Sequence, residues 1–351
     1  MHILLVRFSS MGDVVLQTAT VNWLKSLLGS DLRLTFLTSS EFVELLEGHQ
    51  EIHRVIGFHR RKGEKWENLV HRLKDLHKND PIDLILDLHG TLRSLRLKVS
   101  LWTIPALTVD KRRWERFLLT KVRNKFLRKI FEHPFFGLGP QVERIIEDFE
   151  NIFSDSFGKK RTQSFREGPH DELTSLAPSL TTEISRPYVV LAPSASFVPK
   201  RWPVVSFVEL SKKLLHETTY DVVVLAGKDD TFCEAFNEVS SDRLHQLQGK
   251  TTLKESMAFL SKANLCIGND SGMNHIAEAY GVPSLTLFGP TDPRFGFRPH
   301  GTKSRILEKE LSCRPCSTTG KKPCHRERHF CMEEITVEEV FKNVKEMLDQ
   351  I

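Results

Sequence analysis

The chain has 351 residues, 40% hydrophobic and 27% charged, and at about 150 residues per domain that is two domains with enough chain for two buried cores. Nineteen glycines in a mixed composition exclude collagen, coiled coil and wholesale disorder, and a formal net charge of +5 is mild enough that its distribution matters more than its sum. No apolar run approaches the roughly 18 residues of a bilayer span, and the opening apolar stretch meets Arg7 too early for a signal peptide, so the expectation is a cytoplasmic protein.

The first half alternates apolar runs with helical periodicity. Residues 3–6 read as a strand buried on both faces, followed by the Gly12-Asp13 turn. Residues 14–28 carry apolar side chains at helical spacing, and Gly29 ends them. Strands are predicted at residues 32–37, 54–58 and 83–88. Strands separated by helices imply a parallel sheet covered on both sides. Residues 154–187 hold Gly, Pro, Ser and Thr without apolar periodicity and read as a linker. The alternation restarts with strands at 188–191, 222–225, 265–267 and 284–288. A helix is predicted over 206–216, with Ser206 and Glu209 as a capping box, and a last helix from Thr336, capped with Glu339. The expected organisation is a doubly wound α/β domain over 1–160, a linker over 161–187, a second such domain over 188–335 and a C-terminal helix over 336–351. Ligands of such a pair would bind in a cleft between the domains.

Three strand-to-helix passages carry candidate chemistry. The first is Arg7-Phe8-Ser9-Ser10-Met11-Gly12-Asp13, where partial burial would raise the pKa of Asp13 toward a usable general base, or where Asp13 simply caps the helix. It lacks the GxGxxG pattern of a dinucleotide site. The second runs from Pro193 through Ser194, Ser196 and Lys200 to Pro203. Its small hydroxyl residues leave backbone amides accessible and Lys200 adds a compact positive charge, which suits a pyrophosphate; the alternative is a solvated surface loop. The third is Gly268-Asn269-Asp270-Ser271-Gly272-Met273-Asn274-His275. Ser271 and Gly272 at a helix start favour a phosphate, Asp270 is suited to sugar hydroxyls, and His275 either faces the ligand or is a packed residue.

Charge is concentrated elsewhere. Between residues 91 and 130, twelve Lys and Arg, Arg112 and Arg113 among them, face only Asp110 and Glu115. Arg60, Arg61, Lys62 and Lys65 form a smaller cluster. An anionic partner is expected for these surfaces, either a membrane face or, in a non-catalytic reading, nucleic acid. Cys313, Cys316, Cys324 and Cys331 are spaced C-x2-C-x7-C-x6-C, open to zinc or an iron–sulfur cluster or to local packing, and they are not assigned as metal ligands.

The order and spacing of these motifs resemble the ADP-heptose–lipopolysaccharide heptosyltransferases, glycosyltransferase family 9. The segments that carry the likeness are residues 6–14, Asp83-Leu84-Ile85-Leu86-Asp87-Leu88-His89-Gly90, Lys200-Arg201-Trp202-Pro203, Asn269 to Gly272 with His275, and Phe288-Gly289-Pro290-Thr291-Asp292-Pro293. The resemblance implies the GT-B architecture, two Rossmann-like domains facing across a cleft, and an inverting, metal-independent transfer of heptose to the lipopolysaccharide inner core without a cofactor. It implies that Asp13 is the general base and that Lys200 neutralises the leaving diphosphate. Ser194, Ser196, Gly227, Asp270, Ser271, Gly272 and His275 would hold the nucleotide-sugar. Ser9, Ser10, Gly12, Arg60, Arg61, Lys62, Arg112 and Arg113 would hold an anionic lipid-linked acceptor at the inner face of the inner membrane. A different nucleotide-sugar or glycan acceptor within the family stays open, because the loop from Gly227 to Thr231 does not single out a base.

Overall fold

The computed structural model describes residues 1–108, Thr120, 184–299 and 301–351. They fall into two units, residues 1–108 belonging to the first and the stretch from 184 onward to the second. The linker expected over 161–187 therefore lies outside the described residues except for 184–187, as do Arg112 and Arg113.

The first unit runs β1 (His2–Val6), α1 (Met11–Leu28), β2 (Arg33–Ser39), β3 (Arg54–Phe58), α2 (Trp66–Asn79), β4 (Leu84–Asp87), α3 (Leu92–Ser100) and β5 (Ala106–Thr108). The sheet order is β3-β2-β1-β4-β5 and every pairing is parallel. All five residues of β1 are buried, which fits a central strand covered on both faces. Leu4 pairs with Thr35 on one side and Ile85 on the other. One face packs Leu4, Val6 and Ile85 against Leu69 and Leu73 of α2 and Leu97 of α3. The order reverses between β1 and β4, so the loops leaving their carboxyl ends flank the position where open sheets bind ligands.

The second unit runs β6 (Tyr188–Ala192), α4 (Val204–Glu217), β7 (Asp221–Val224), β8 (Leu244–Gln246), α5 (Leu253–Ser261), β9 (Leu265–Asn269), α6 (Gly272–Ala279), β10 (Ser284–Phe288), β11 (Arg305–Glu308), α7 (Phe330–Glu333) and α8 (Val337–Leu348). Its all-parallel order, β11-β10-β9-β6-β7-β8, repeats the first unit's pattern with one more strand, and the reversal falls between β6 and β9.

Two helix starts differ from expectation. α1 begins at Met11 rather than at residue 14, because Ser10 is its N-cap. α4 begins at Val204, with Pro203 as N-cap, so Ser206 lies inside the first turn and forms no capping box with Glu209. At α8 the box is present: the Glu339 N–H donates to the Thr336 hydroxyl at 3.2 Å and the Thr336 N–H to the Glu339 carboxylate at 2.8 Å. Val340, Phe341 and Val344 of α8 share one core with Phe207, Leu210 and Leu214 of α4, so the last helix is part of the second unit's body. No helix among the described residues is long and apolar enough to cross a membrane.

Candidate active site

In the first unit the turn after β1 holds an ion pair. Arg7 and Asp13 are 5% and 9% exposed, and Arg7 Nη2 lies 2.5 Å from Asp13 Oδ1. The guanidinium is itself pinned: Nε donates to the Ser9 carbonyl at 2.9 Å and Nη1 to the Leu88 carbonyl at the end of β4. Asp13 Oδ2 accepts from both the N–H and the hydroxyl of Ser10, at 3.0 and 2.9 Å. Asp13 is thus a helix-capping residue whose second oxygen is held by a buried cation. Burial pushes its pKa up, but the Arg7 charge and the Ser10 hydrogen bonds outweigh that and hold the carboxyl below the usual range. This corrects the expectation of a raised pKa: the desolvation is real, and a neighbour missing from the sequence argument reverses its effect.

Ser9 is half-buried, Ser10 is exposed, and Gly12 is buried inside α1. Arg60, Arg61 and Lys62 form one exposed turn after β3, with Arg61 Nε 3.3 Å from Glu41. Arg93 of α3 joins this cluster. It lies over the Phe8 ring at 5.5 Å, and its pKa is lowered by burial and then by the nearby charge of Arg60. Phe8 in turn meets Phe58 at 6.1 Å and His89 at 5.6 Å, so the cationic cluster and the Asp13 turn share an aromatic base. Asp87 shapes the adjoining loop by accepting from the N–H groups of His89 and Gly90 at 3.0 and 2.8 Å.

In the second unit Lys200 Nζ lies 2.7 Å from Asp270 Oδ2, which also accepts from the Thr291 hydroxyl at 2.7 Å. The next residue, Ser271, is the N-cap of α6, and its hydroxyl is buried without a hydrogen-bond partner. The ammonium therefore stands beside a helix start with an unused hydroxyl, a combination suited to anionic oxygens. Gly272 opens the helix, whereas His275 lies in its interior at 7% exposure, in keeping with the packed-residue reading.

Asn269, the last residue of β9, ties the loop after β6 to its own strand end. Its Oδ1 accepts from the Trp202 N–H at 2.9 Å and its Nδ2 donates to the Pro193 carbonyl at 2.7 Å. Gly268 is required by crowding, since a Cβ there would come within 2.9 Å of the Ala192 carbonyl oxygen and of Asn274 Oδ1. Ser194 and Gly227 are brought together through Asp230, which accepts from the Ser194 hydroxyl at 2.6 Å and the Gly227 N–H at 3.0 Å. Ser196 is exposed on the same loop.

Arg7, Asn269 and Thr291 received no role of their own from sequence, and Arg93 was read only as one of the twelve cations between residues 91 and 130. Arg7 left one signal, a cation set between Val6 and Phe8 where the chain is otherwise buried. The specific contacts of Arg93, Asn269 and Thr291 are with partners far away in sequence.

Residues 70–325 match glycosyltransferase family 9 (heptosyltransferase). Lipopolysaccharide heptosyltransferase 3 of Escherichia coli is 29% identical over 303 residues, 81% of this chain and 82% of its own. The solved structure of the E. coli ADP-heptose lipopolysaccharide heptosyltransferase II matches 100% of this chain and 99% of its own, with 23% identity and a TM-score of 0.70. That of E. coli heptosyltransferase WaaC with ADP covers 99% and 100%, with 18% identity and a TM-score of 0.70. The structural likeness shows the fold, GT-B, in agreement with the two parallel α/β units. The family match replaces the non-catalytic reading of the basic stretch. The chain is a glycosyltransferase, and it belongs to family 9, the heptosyltransferases.

Proposed function

We propose that the enzyme transfers heptose from ADP-heptose to the inner core of lipopolysaccharide with inversion at the anomeric carbon. The observation that carries this is the cradle in the second unit, where Lys200, held at Asp270, adjoins the free Ser271 hydroxyl at the start of α6. The acceptor hydroxyl gives its proton to Asp13 as its oxygen bonds to the anomeric carbon. The bond from that carbon to the diphosphate breaks on the opposite face, and ADP leaves with the added charge. Lys200 and the amides of α6 take up that charge without needing a proton.

The lowered pKa of Asp13 suits this role in one respect: it is ionised throughout the neutral range and ready to accept. Its weakness as a base in the ground state is offset because the hydroxyl acidifies as the new bond forms. The adenine donor is supported by the relative solved with ADP. The lipopolysaccharide acceptor is supported by the relatives' names and by the Arg60, Arg61, Lys62 and Arg93 cluster near Asp13.

The basic surface reads as a peripheral contact with an anionic bilayer on the inner face of the inner membrane. Leu92, Leu95, Val99 and Trp102 are exposed beside Arg93 and Arg96, giving that contact an apolar component as well. Binding to anionic vesicles is expected to weaken as salt rises, and salt-independent pelleting would contradict an electrostatic contact. The deciding experiment is a thermal-shift panel with ADP, UDP and GDP, followed by transfer assays with the matching sugars. Stabilisation by ADP and transfer from ADP-heptose are expected. A preference for UDP or GDP would keep the fold and overturn the donor.

A further inference from the structure

The loop that carries Lys200 leaves β6 at Pro193 and enters α4 at Pro203, and its one regular piece is the single helical turn Val198–Lys200. Its crest is open to solvent, with Val198 62% exposed. An ammonium that must meet a diphosphate at a defined place thus sits on a segment with little framework of its own. An uncharged side chain ties that segment to the sheet.

Asn269 ends β9, is fully buried and bonds to both ends of the loop. The register sets Ala192 against Gly268, so Pro193 and Asn269 are the next positions along, where the strands part. There the side chain carries the pairing on. Nδ2 donates to the Pro193 carbonyl at 2.7 Å, and Oδ1 accepts from the Trp202 N–H at 2.9 Å. A carbonyl only accepts and an N–H only donates, and a carboxamide answers both without charge. Asn269 is itself held from the far side: its carbonyl accepts from Asn274 Nδ2 at 2.8 Å, and that amide also donates to Thr286 at 3.0 Å. Trp202 is equally fixed. It is 1% exposed, its ring lies 4.8 Å from that of Phe207, and its indole N–H donates to the Ile335 carbonyl at 2.8 Å.

Lys200 stands two residues before Trp202, and Asp270 follows Asn269. The Lys200–Asp270 ion pair and the Asn269–Trp202 hydrogen bond therefore join the same two segments side by side. The two links answer differently to a substrate. A diphosphate competes with Asp270 for the ammonium and opens the ion pair. It offers nothing to a buried amide whose partners are backbone groups, so the neutral link stays closed while the ionic one opens.

We propose that Asn269 is a positioning residue for Lys200, a neutral strap that keeps the lysine's loop seated on the end of β9 while the ammonium turns from Asp270 to the leaving diphosphate. This rests on the donor reading given above for Lys200. Asn269 acts through Lys200 and not on the substrate.

The test is a double-mutant cycle on kcat of the full chain with ADP-heptose, built from Asn269→Leu and Lys200→Met. Leucine is similar in size and drops both bonds. Alone, Asn269→Leu should lower kcat by about 10²-fold, the cost of displacing a catalytic group by about 1 Å. In the Lys200→Met background the further loss should shrink to about twofold or less, because no ammonium is left to misplace. Tyr188→Phe removes a buried hydrogen bond at the start of β6, to the Phe259 carbonyl, and should leave kcat unchanged. Should Asn269→Leu fail to fold, Asn269→Asp, equal in shape but without the Nδ2 donor, takes its place in the cycle. The same fold loss with and without Lys200 overturns the strap, as does an unchanged kcat in the Asn269 variant or an equal loss in Tyr188→Phe. Full turnover by Lys200→Met alone would overturn the donor reading of Lys200 and the strap together, so the two failures are told apart.

Discussion

In each unit the group proposed to react sits in an ion pair at the carboxyl edge of its sheet, and the two pairs are built with opposite polarity. In the first, the framework grips the cation: carbonyls of Ser9 and Leu88 fix Arg7, which holds Asp13. In the second, a hydroxyl grips the anion: Thr291 bonds Asp270, which holds Lys200. The group proposed to react is, in each case, the one whose partner is tied down. A carboxylate and an ammonium can thus be kept charged and aimed without sharing any residue. The difference lies in what a substrate must displace. An acceptor hydroxyl is neutral and leaves the Arg7–Asp13 pair intact, whereas a diphosphate competes with Asp270 for Lys200.

The largest test of this contrast is Asp13→Asn. Turnover is expected to fall by about 10²–10⁴, the range for a general base, while ADP affinity in a binding titration stays unchanged. Loss of ADP binding in that variant would mean the units are not specialised as argued. Next, Lys200→Met should lower kcat by about 10²–10³ and weaken ADP as well, because its charge serves both bound and leaving diphosphate. A KM effect alone would make Lys200 a ground-state contact.

Arg7→Met isolates the first pair. With Arg7 present the depressed pKa keeps Asp13 ionised even as pH falls into the usual carboxylate range, so the acid limb of kcat/KM lies low. Without it the strongest opposition to burial is gone, and the limb should move upward by about 1–3 pH units, the effect of one close opposite charge. An unmoved limb would show that Asp13 does not titrate in the rate. The smallest effect is Ser271→Ala. Its hydroxyl makes no capping bond, so urea stability should hardly change while ADP affinity drops about tenfold, one hydrogen bond to a charged group. A stability loss with unchanged affinity would return that hydroxyl to the helix.

Much of the frame was legible because it rests on local pattern. Strands β3 and β10 coincide with their predicted spans, since apolar runs bounded by turn residues leave little latitude. The edge strands β5, β8 and β11 were not, because three or four half-buried or exposed residues give no buried run to see. The start of α4 was misread because Ser206 and Glu209 imitate a cap that Pro203 pre-empts. In the site, Asp13, Lys200 and Ser271 stood out by residue type at strand ends. Their environment did not: Arg7 reaches a carbonyl 81 residues away, Asn269 one 76 away, and charge balance is decided by such neighbours.

Both sheets also put their earliest strand in the middle. During synthesis each unit can grow outward on one flank, β1 to β3 or β6 to β8, well before the opposite flank leaves the ribosome. Leu88 and Asp270 both arrive with the second flank, so a half-made unit exposes its central strand but holds no finished reactive group. The ties that aim each ion pair are therefore completed only once the second flank has been made.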